Sequence, residues 1–327
     1  MRILVTGGAG YVGAAVARYL IENGHRVAVL DDLSRGCAAC VPEQADFFLG
    51  DVGDVVSLER IMPHVDAVVH CAAFTDTRAC AEDPGECFET NVCAPLRLLR
   101  VMGNYGVDRL VSCSSVEVYG APEVVPVVEG AMTTPTTPVG ETKMMFERMC
   151  GWFERPHGLR TVSLRLSEVA GAWPDGTLGE AHDPERGLIA RLLRAIAGGA
   201  TEVGIPSGYA TLDGTPVRDY VHVLDVARAV GLAMDWIGGG GRGGTFNIAS
   251  GRGYSAREVA DACQEVTGVT VDVVSTPVDP TEPPIMTASF DLAERTFGWR
   301  PDRGVLHTIV SDAWRWHSAH GEGYERV

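Results

Sequence analysis

The fold is decided at the start of the chain, where residues 1–13 read MRILVTGGAGYVG. Ile3 to Val5 form a short apolar run, and four glycines follow it, three of them spaced three apart at Gly7, Gly10 and Gly13. Apolar residues then recur at a spacing of four, which is typical of one face of a helix. Because glycine tolerates the backbone conformations of a tight turn, this stretch predicts a strand, a turn and a helix in succession.

The same alternation of short apolar strands and helices continues through the first half of the chain. Strands are expected at Val27–Leu30, Ala67–His70, Leu110–Ser114 and Thr161–Leu166, and helices at Pro95–Tyr105 and Pro138–Phe153. Buried strands that alternate with amphipathic helices predict a parallel, doubly wound sheet, so the predicted fold class is α/β.

After Leu166 the alternation gives way to loops rich in Gly, Pro and Asp, with shorter elements between them. Here we expect helices at Leu188–Ala197 and Val226–Trp236, a strand at Tyr220–Val223, and a helix that opens with a capping box at Ser255–Glu258. The pattern predicts a Rossmann-type cofactor domain of residues 1–164 with about 217–240, and a smaller C-terminal substrate-binding domain of residues 165–216 and 241–327.

Composition limits the classes of function that the chain can serve. Its 327 residues carry a formal net charge of −16, which would repel a nucleic-acid backbone, so no such partner is expected. We see neither a secretory signal nor an apolar run of membrane-spanning length. Nine scattered cysteines suit a reducing compartment, and we expect a cytoplasmic protein. Cys37 and Cys40 form one CxxC without a second pair, so no metal site is expected.

The glycine-rich turn has the context of a dinucleotide site. Backbone N–H groups at the start of a helix can bind a pyrophosphate, and the expected contacts are Gly7, Gly10, Tyr11 and Val12. Asp31 ends the second predicted strand and can accept hydrogen bonds from ribose hydroxyls. With Asp32 beside it, a 2′-phosphate would meet like charge at a cost of roughly 4 kcal/mol, which favours NAD over NADP. Asp51 and Val52 are expected near the adenine. The alternative is a glycine-rich turn that binds nothing.

Further motifs stand where predicted strands end, at the edge of the sheet where doubly wound folds bind ligands. They are His70-Cys-Ala-Ala, Ser115-Val-Glu-Val-Tyr-Gly, Thr137-Pro-Val-Gly-Glu-Thr-Lys and Val217-Arg-Asp-Tyr-Val-His-Val. With the glycine turn, these motifs resemble the extended short-chain dehydrogenase/reductases of the NAD-dependent sugar epimerase/dehydratase family. The run from Gly179 to Leu193 and the triplet Asp213-Gly-Thr are similar to UDP-glucose/UDP-galactose 4-epimerases, and the resemblance covers nearly the whole chain.

The resemblance implies roles for single residues. In this family a Ser or Thr, a Tyr and a Lys act on one hydroxyl of a sugar, and Ser115 and Lys143 match two of them. The Tyr position is held by Val139, which cannot accept a proton, and loss of a positioned base costs about 10²–10⁴ in rate. Tyr119 matches a position that is usually structural. The resemblance also implies that NAD contacts Cys71, Ala72, Ala73, Asn91 and Lys143.

Glu117 matches a carboxylate that sugar dehydratases of this family use next to a transient ketone. A carboxyl group in an apolar site can serve as acid or base because burial raises its pKa. We therefore expect an NAD-dependent, redox-neutral dehydratase that acts on a hexosyl substrate, with Ser115, Glu117 and Lys143 as catalytic residues. Two alternatives stay open: a UDP-hexose 4-epimerase, and a catalytically silent NAD-binding homologue in which Glu117 only caps a helix or lies on the surface.

The substrate side departs from the epimerase pattern. Glu168 stands where the family has an Asn that contacts a diphosphate, Arg218 is kept, and the segment 276–284 lacks the family's phosphate-binding Arg. A carboxylate there would repel a diphosphate by roughly 4 kcal/mol if unscreened. Either the substrate has no diphosphate, as in a nucleoside, or Glu168 turns away. The expected substrate-binding residues are Glu117, Val139, Glu168, Leu188 and Arg218.

The expected partners are a small-molecule sugar nucleotide or nucleoside and a second copy of the chain. Members of the family that this chain resembles form homodimers through two helices, which correspond here to Pro95–Tyr105 and Pro138–Phe153. No membrane partner is expected.

Overall fold

A parallel sheet forms the centre of the molecule. The computed structural model describes residues 1–182, 184–321 and 323–324. Its strands are β1 (Arg2–Thr6), β2 (Arg26–Asp31), β3 (Asp46–Leu49), β4 (Ala67–His70), β5 (Arg109–Ser115), β6 (Arg160–Leu166), β7 (Glu168–Ala170), β8 (Glu202–Pro206), β9 (Val217–His222), β10 (Gly244–Ile248), β11 (Gly253–Ser255), β12 (Asp272–Thr276) and β13 (Ile285–Met286). Its helices are α1 (Tyr11–Glu22), α2 (Val55–Ile61), α3 (Thr77–Glu82), α4 (Pro84–Phe88), α5 (Ala94–Tyr105), α6 (Pro138–His157), α7 (Leu188–Ala197), α8 (Val223–Gly238), α9 (Ala256–Thr267), α10 (Asp291–Phe297) and α11 (Leu306–Ala319). Among the helices of these ranges, none combines the length and the apolar composition that crossing a bilayer requires.

The largest sheet has seven strands, all parallel, in the order β10-β6-β5-β4-β1-β2-β3. Helices α1 and α8 cover one face, and α2, α5 and α6 cover the other. The predicted α/β class with a doubly wound parallel sheet is therefore confirmed. The strand order reverses between β1 and β4, and a crevice at such a point binds ligands in folds of this type.

β1 shows why these strands read as continuous apolar runs. Ile3 and Val5 are buried in the core beneath α1 and α8, while Leu4 is buried in the core on the opposite face. Successive side chains of a strand point to opposite faces, and here helices cover both faces. Every residue of the run is consequently apolar, and the glycine turn is held at the end of a rigid strand.

A smaller lobe begins where β6 ends. β9 pairs in parallel with β7 and β13 and antiparallel with β11, while β8 pairs with β12. Helices α7, α9 and α11 pack together around a core of their own that includes Leu193, Val259 and Ile309. The predicted capping box is present at the start of α9, where Ser255 and Glu258 exchange their hydrogen bonds. β7 and β9 carry two predicted site residues, Glu168 and Arg218.

Several boundaries differ from the sequence prediction. β10, which was expected in the smaller domain, lies beside β6 in the seven-stranded sheet, with Phe246 and Ile248 buried. β9 begins at Val217 and α8 at Val223, whereas the strand was expected from Tyr220 and the helix from Val226. The early part of β9 was missed because it contains Asp219, a buried carboxylate that accepts hydrogen bonds from the N–H groups of Ser250 and Gly251. Helix α6 also continues past Phe153 to His157.

Candidate functional site

The turn between β1 and α1 leaves no room for side chains. A Cβ on Gly7 would lie 2.5 Å from the backbone nitrogen of Ala72, and a Cβ on Gly13 would overlap the carbonyl of Gly7. Gly7 also has a φ of +71°, which residues with a side chain rarely adopt. Gly10 is the N-cap of α1, and no side chain of the described residues caps the helix there. The first N–H groups of α1 are thus suited to an anionic ligand.

Asp31 lies at the end of β2 and ties the glycine turn to the loop that follows. Its carboxylate accepts hydrogen bonds from the N–H groups of Leu33 and Ala9, both at 2.9 Å. Burial raises the pKa of Asp31, the two N–H groups counteract this effect, and neighbouring Asp32 adds to it. The position predicted beside a ribose therefore holds a carboxylate that the backbone fixes in place.

The other residues predicted to contact the cofactor follow two strands on either side of the β1–β2 pair, β4 and β3. Cys71, Ala72 and Ala73 follow β4 directly and are half-buried, and Ala72 lies against Gly7. Asp51 and Val52 follow β3, where Asp51 accepts a hydrogen bond from the N–H of Gly53 and Val52 is buried. Both groups stand at the carboxyl edge of the sheet, as the sequence predicts.

Asn91 forms hydrogen bonds inside the protein. Its amide accepts a hydrogen bond from the N–H of Phe74 at 2.7 Å and donates to the Phe74 carbonyl at 2.8 Å and to the Thr142 hydroxyl at 3.1 Å. The side chain is buried, and its polar atoms are engaged in this brace between the loop after β4 and helix α6. The predicted NAD contact of Asn91 stays a prediction, and in this structure Asn91 holds the loop that follows Ala73.

A cavity of about 370 Å³ runs along the glycine turn. It is lined from one side by the turn and the loop after β2, and from the other by the smaller lobe, with residues that include Gly10, Tyr11, Leu33, Arg35, His182, Arg186 and Arg194. A turn closed to Cβ atoms, N–H groups at a helix start and a fixed carboxylate at the end of β2 together fit NAD.

Three potential metal ligands lie near this cavity. Glu180, His182 and Glu185 place donor atoms within 4.8 Å of one another. Glu180 Oε1, however, accepts a hydrogen bond from the N–H of Gly187 at 3.3 Å and lies 3.0 Å from His182 Nδ1, and the N–H of His182 donates to Glu185. Through these bonds the three side chains form a polar network that holds the loop before α7.

Lys143 belongs to α6 and lies at the floor of the crevice, next to the end of β5. Its side chain is 9% exposed, and its Nζ donates a hydrogen bond to the carbonyl of Cys113 at 2.7 Å. Burial lowers the pKa of Lys143, while Cys113, Cys71 and Glu117 act in the opposite direction. His70 is close to Lys143, and burial followed by the charge of Lys143 lowers the pKa of His70 to about 3, so this imidazole is neutral.

Ser115 and Glu117 lie on a short 3₁₀ turn between β5 and the loop that leads to α6. Ser115 Oγ accepts a hydrogen bond from the N–H of Glu117 at 3.1 Å, which leaves its own proton available to donate. Glu117 Oε2 accepts a hydrogen bond from Thr137 Oγ1 at 2.7 Å, and Thr137 in turn accepts from the N–H of Gly140 as the N-cap of α6. The carboxyl group is therefore held at the N-terminus of the helix that carries Lys143.

The surroundings of Glu117 shift its pKa in both directions. Burial raises the pKa of Glu117 and the hydrogen bond from Thr137 lowers it. Weaker effects come from Glu282, which raises the pKa, and from Lys143 and Arg218, which lower it. A carboxyl group whose pKa lies above its ordinary value can both accept and return a proton more readily near neutral pH.

Val139 is buried at the start of α6. The side chain is 1% exposed and packs in an apolar cluster with Phe74, Cys80 and Cys87. The predicted substrate contact of Val139 stays a prediction, and in this structure the side chain is occupied by apolar packing.

The substrate side gathers three carboxylates around one guanidinium. Glu168 on β7 is open to the cleft, yet the surrounding protein walls raise the pKa of its carboxyl to about 7. Arg218 lowers this pKa, whereas Glu117, Glu282 and Glu180 raise it further. Arg218 donates to Glu282 Oε2 at 2.8 Å. Leu188, also predicted here, is half-buried in the first turn of α7.

Two polar contacts near the site were not predicted. Glu282 was missed because it lies in a Pro-rich segment that carries no pattern of its own. Glu147, one turn after Lys143 on α6, forms a buried ion pair with Arg165 at 2.6 Å, and its spacing of four from Lys143 was the available signal. Arg165 also donates to the Tyr119 hydroxyl, which donates to Asn247, so the predicted structural role of Tyr119 is confirmed.

Comparison with known proteins agrees with this geometry. Residues 3–249 match the model of the NAD dependent epimerase/dehydratase family. The UDP-glucose 4-epimerase of Halalkalibacterium halodurans is 38% identical over 327 residues, which cover 99% of this chain and 98% of that protein. The UDP-glucose 4-epimerase of Corynebacterium glutamicum is 40% identical over 324 residues, which cover 98% and 97%. The structure of a UDP-glucose 4-epimerase from Brucella ovis in complex with NAD superposes with a TM-score of 0.93 at 34% identity, covering 98% of each chain. The chain therefore belongs to the NAD-dependent epimerase/dehydratase family.

Proposed function

We propose that this chain is an NAD-dependent sugar epimerase in which Glu117 performs the proton transfer that a tyrosine at position 139 would otherwise perform. The observation that carries the proposal is the placement of the Glu117 carboxyl, held by Thr137 at the start of the helix that bears Lys143. Relatives named as UDP-glucose 4-epimerases over almost the full chain favour epimerisation over the dehydration that the sequence first indicated.

The residues around the glycine turn would hold the cofactor. Gly7, Gly10, Tyr11 and Val12 would offer N–H groups to its pyrophosphate, Asp31 would accept hydrogen bonds from a ribose, and Lys143 would bind the nicotinamide ribose. Bound NAD supplies a hydride acceptor and donor, so that a carbon bearing a hydroxyl is oxidised and reduced again without net redox change.

Glu117 and Ser115 would handle the hydroxyl proton. Ionised Glu117 takes the proton as the hydroxyl becomes a carbonyl, and it returns the proton when the hydroxyl is restored. Ser115, whose Oγ already accepts the N–H of Glu117, donates to the same substrate oxygen. Lys143 keeps a positive charge beside the site, which favours the ionised form of Glu117.

Dehydration of a hexosyl group is the second candidate, and one observation favours it. The acid/base group at the mouth of the site is a carboxyl with a raised pKa, which can remove a proton next to a ketone and protonate a departing hydroxyl. The same residues would act, and the difference lies in the product.

Product analysis tests the proposal. The purified protein with its bound cofactor is incubated in deuterated water with UDP-glucose, UDP-galactose and hexosyl nucleosides, and products are read by NMR and mass spectrometry. A stereoisomer supports epimerisation, and loss of one water supports the second candidate. Neither product nor deuterium exchange would contradict both and favour a catalytically silent NAD-binding homologue.

We also propose that two copies of the chain assemble through α5 and α6 and that the protein works in the cytoplasm. Both helices expose aromatic side chains to solvent, Tyr105 on α5 and Trp152 on α6, the latter 81% exposed. Large aromatic side chains exposed on two helices that pack against each other are consistent with an interface. Light scattering should give the mass of a dimer, and Trp152→Glu should shift it towards the monomer. A monomeric wild-type protein would contradict this assembly.

A further inference from the structure

The substrate side of the cleft has an unusual balance of charge. Glu117, Glu168 and Glu282 all act electrostatically on one another, and Arg218 is the guanidinium that acts on both Glu117 and Glu168. Lys143, the other cation at the site, is directed to the carbonyl of Cys113. A ligand group placed here meets more negative than positive charge.

The positive charge of Arg218 is already compensated by a carboxylate of the protein. One of its nitrogens donates to Glu282 Oε2 at 2.8 Å, another donates to the carbonyl of Val217 at 3.0 Å, and the side chain is 13% exposed. Charge-assisted pairs of this geometry are among the stronger hydrogen bonds in proteins. An incoming anion would have to compete with a carboxylate for the same guanidinium.

The segment that carries Glu282 is held in place on both sides. The Thr136 hydroxyl donates to the carbonyl of Thr281 at 3.0 Å, and the Tyr209 hydroxyl lies 3.1 Å from the backbone nitrogen of Asp279. Beyond Glu282, the N–H of Val217 donates to the carbonyl of Pro284 at 2.9 Å, where β13 begins to pair with β9. Glu282 is thus a fixed part of the wall beside Arg218.

Glu168 lies on β7, the strand next to the one that carries Arg218. Its side chain is exposed, and Glu168 is paired in register with Tyr220 of β9, two residues after Arg218. An ionised carboxylate offers acceptor sites only, so it favours hydroxyl, amide or ammonium donors and opposes phosphate oxygens.

On the basis of the proposed function, we propose that the group of the substrate lying beside Glu168 and Arg218 carries no phosphate, and that Glu168 and Glu282 are the residues that determine this specificity. The substrate class is a neutral or amino-bearing hexoside, such as a hexosyl nucleoside, bound through donors to Glu168. Glu282 stands beside Arg218 as an internal anion where a phosphate would otherwise lie.

Calorimetric titration with UDP-glucose at about pH 8.5, where Glu168 with its pKa of about 7 is ionised, tests this inference on the protein with its bound cofactor. We expect weak binding to the wild type, and Glu168→Gln and Glu282→Gln should each strengthen it by about tenfold or more, because each removes a like charge. Added salt should strengthen binding to the wild type by screening the repulsion, with a smaller effect in Glu168→Gln. Glu265→Gln, an exposed change on α9, is the matched control and should leave the affinity unchanged.

Two outcomes separate this inference from the proposed function. If the wild type binds UDP-glucose tightly and Glu168→Gln leaves its affinity unchanged or weakens it, the inference is overturned, even where epimerisation of UDP-glucose is observed. Suppose instead that UDP-glucose binds the wild type weakly and both variants more tightly, while no hexoside is converted. The inferred exclusion of phosphate is then supported and the proposed catalysis is contradicted. Thermal unfolding of each variant checks that the glutamine forms fold as the wild type does.

Discussion

The cofactor half and the substrate half of the site are built by different means. The cofactor half depends on backbone geometry: a turn in which Cβ atoms at Gly7 or Gly13 would collide with neighbouring backbone, and a carboxylate at Asp31 fixed by N–H groups. The substrate half depends on side chains that face open space, such as Glu168 and Glu282. Backbone geometry tolerates few residues, whereas cleft-facing side chains can change without loss of the fold. Substitutions are therefore expected to be tolerated more readily in the substrate half than in the cofactor half.

The strongest test of the cofactor half is Gly13→Ala. The added Cβ would overlap the carbonyl of Gly7, so the turn must open. We expect the NAD content, measured by chromatography after release, to fall by at least about tenfold, and the free energy of unfolding to fall by about 2–4 kcal/mol. Gly151→Ala is the control: it lies in α6 with open space around it and should stabilise the protein by about 0.5–1 kcal/mol. Unchanged NAD content in Gly13→Ala would contradict the claim that the cofactor half depends on backbone geometry.

Val139→Tyr tests whether position 139 belongs to the apolar core or to the site. Because Val139 is enclosed by Phe74, Cys80 and Cys87, a larger ring should overpack this cluster and destabilise the fold by about 1–3 kcal/mol, measured by denaturant unfolding. We expect no gain in turnover, since the added hydroxyl would enter the core. A clear increase in epimerase activity would contradict this, and would mean that position 139 still reaches the substrate.

Glu168→Gln tests the substrate half through pH and has the smallest expected effect. The pKa of Glu168 is raised to about 7 in the folded protein from an ordinary value of 4.5, so the folded state binds this proton more tightly than the unfolded chain. Stability from this group is full below pH 4.5 and is lost as the pH rises through 7. The charged groups that act on it are Arg218, Glu117, Glu282 and Glu180.

The variant should therefore match the wild type at about pH 4 and melt about 1–2 °C higher at about pH 8, a small shift because the side chain is open to solvent. Thermal unfolding at the two pH values gives the measurement, and Glu265→Gln provides the control. A variant that is less stable than the wild type at the higher pH would mean that Glu168 makes a favourable charge interaction.

Sequence patterns predicted those features that depend on neighbours along the chain. Ile3 to Val5, the glycine spacing, Asp31 at the end of β2 and the start of α6 at Pro138 all follow from local periodicity and turn chemistry. Contacts between distant residues were not predictable: Glu282 is 64 positions from Arg218, and Asn91 reaches Phe74 through a fold that the pattern does not specify. The apolar neighbours of Val139 were not predictable for the same reason, since a helix position alone does not reveal which residues pack around it.

The packing of Val139 and Tyr119 has a consequence for catalysis. With Val139 in the core and Tyr119 bonded to Arg165 and Asn247, Glu117 is the titratable side chain that the proposed proton transfer requires. Its hydrogen bond from Thr137 links it to the helix that carries Lys143, so the two halves of the site meet at this residue.

Turnover of the converted hexosyl substrate by Glu117→Gln tests this central claim most directly. We expect kcat to fall by about 10²–10⁴ with the NAD content unchanged, partial recovery in Glu117→Asp, and wild-type turnover in Glu123→Gln, an exposed carboxylate of the following loop. Wild-type kcat in Glu117→Gln would contradict the account.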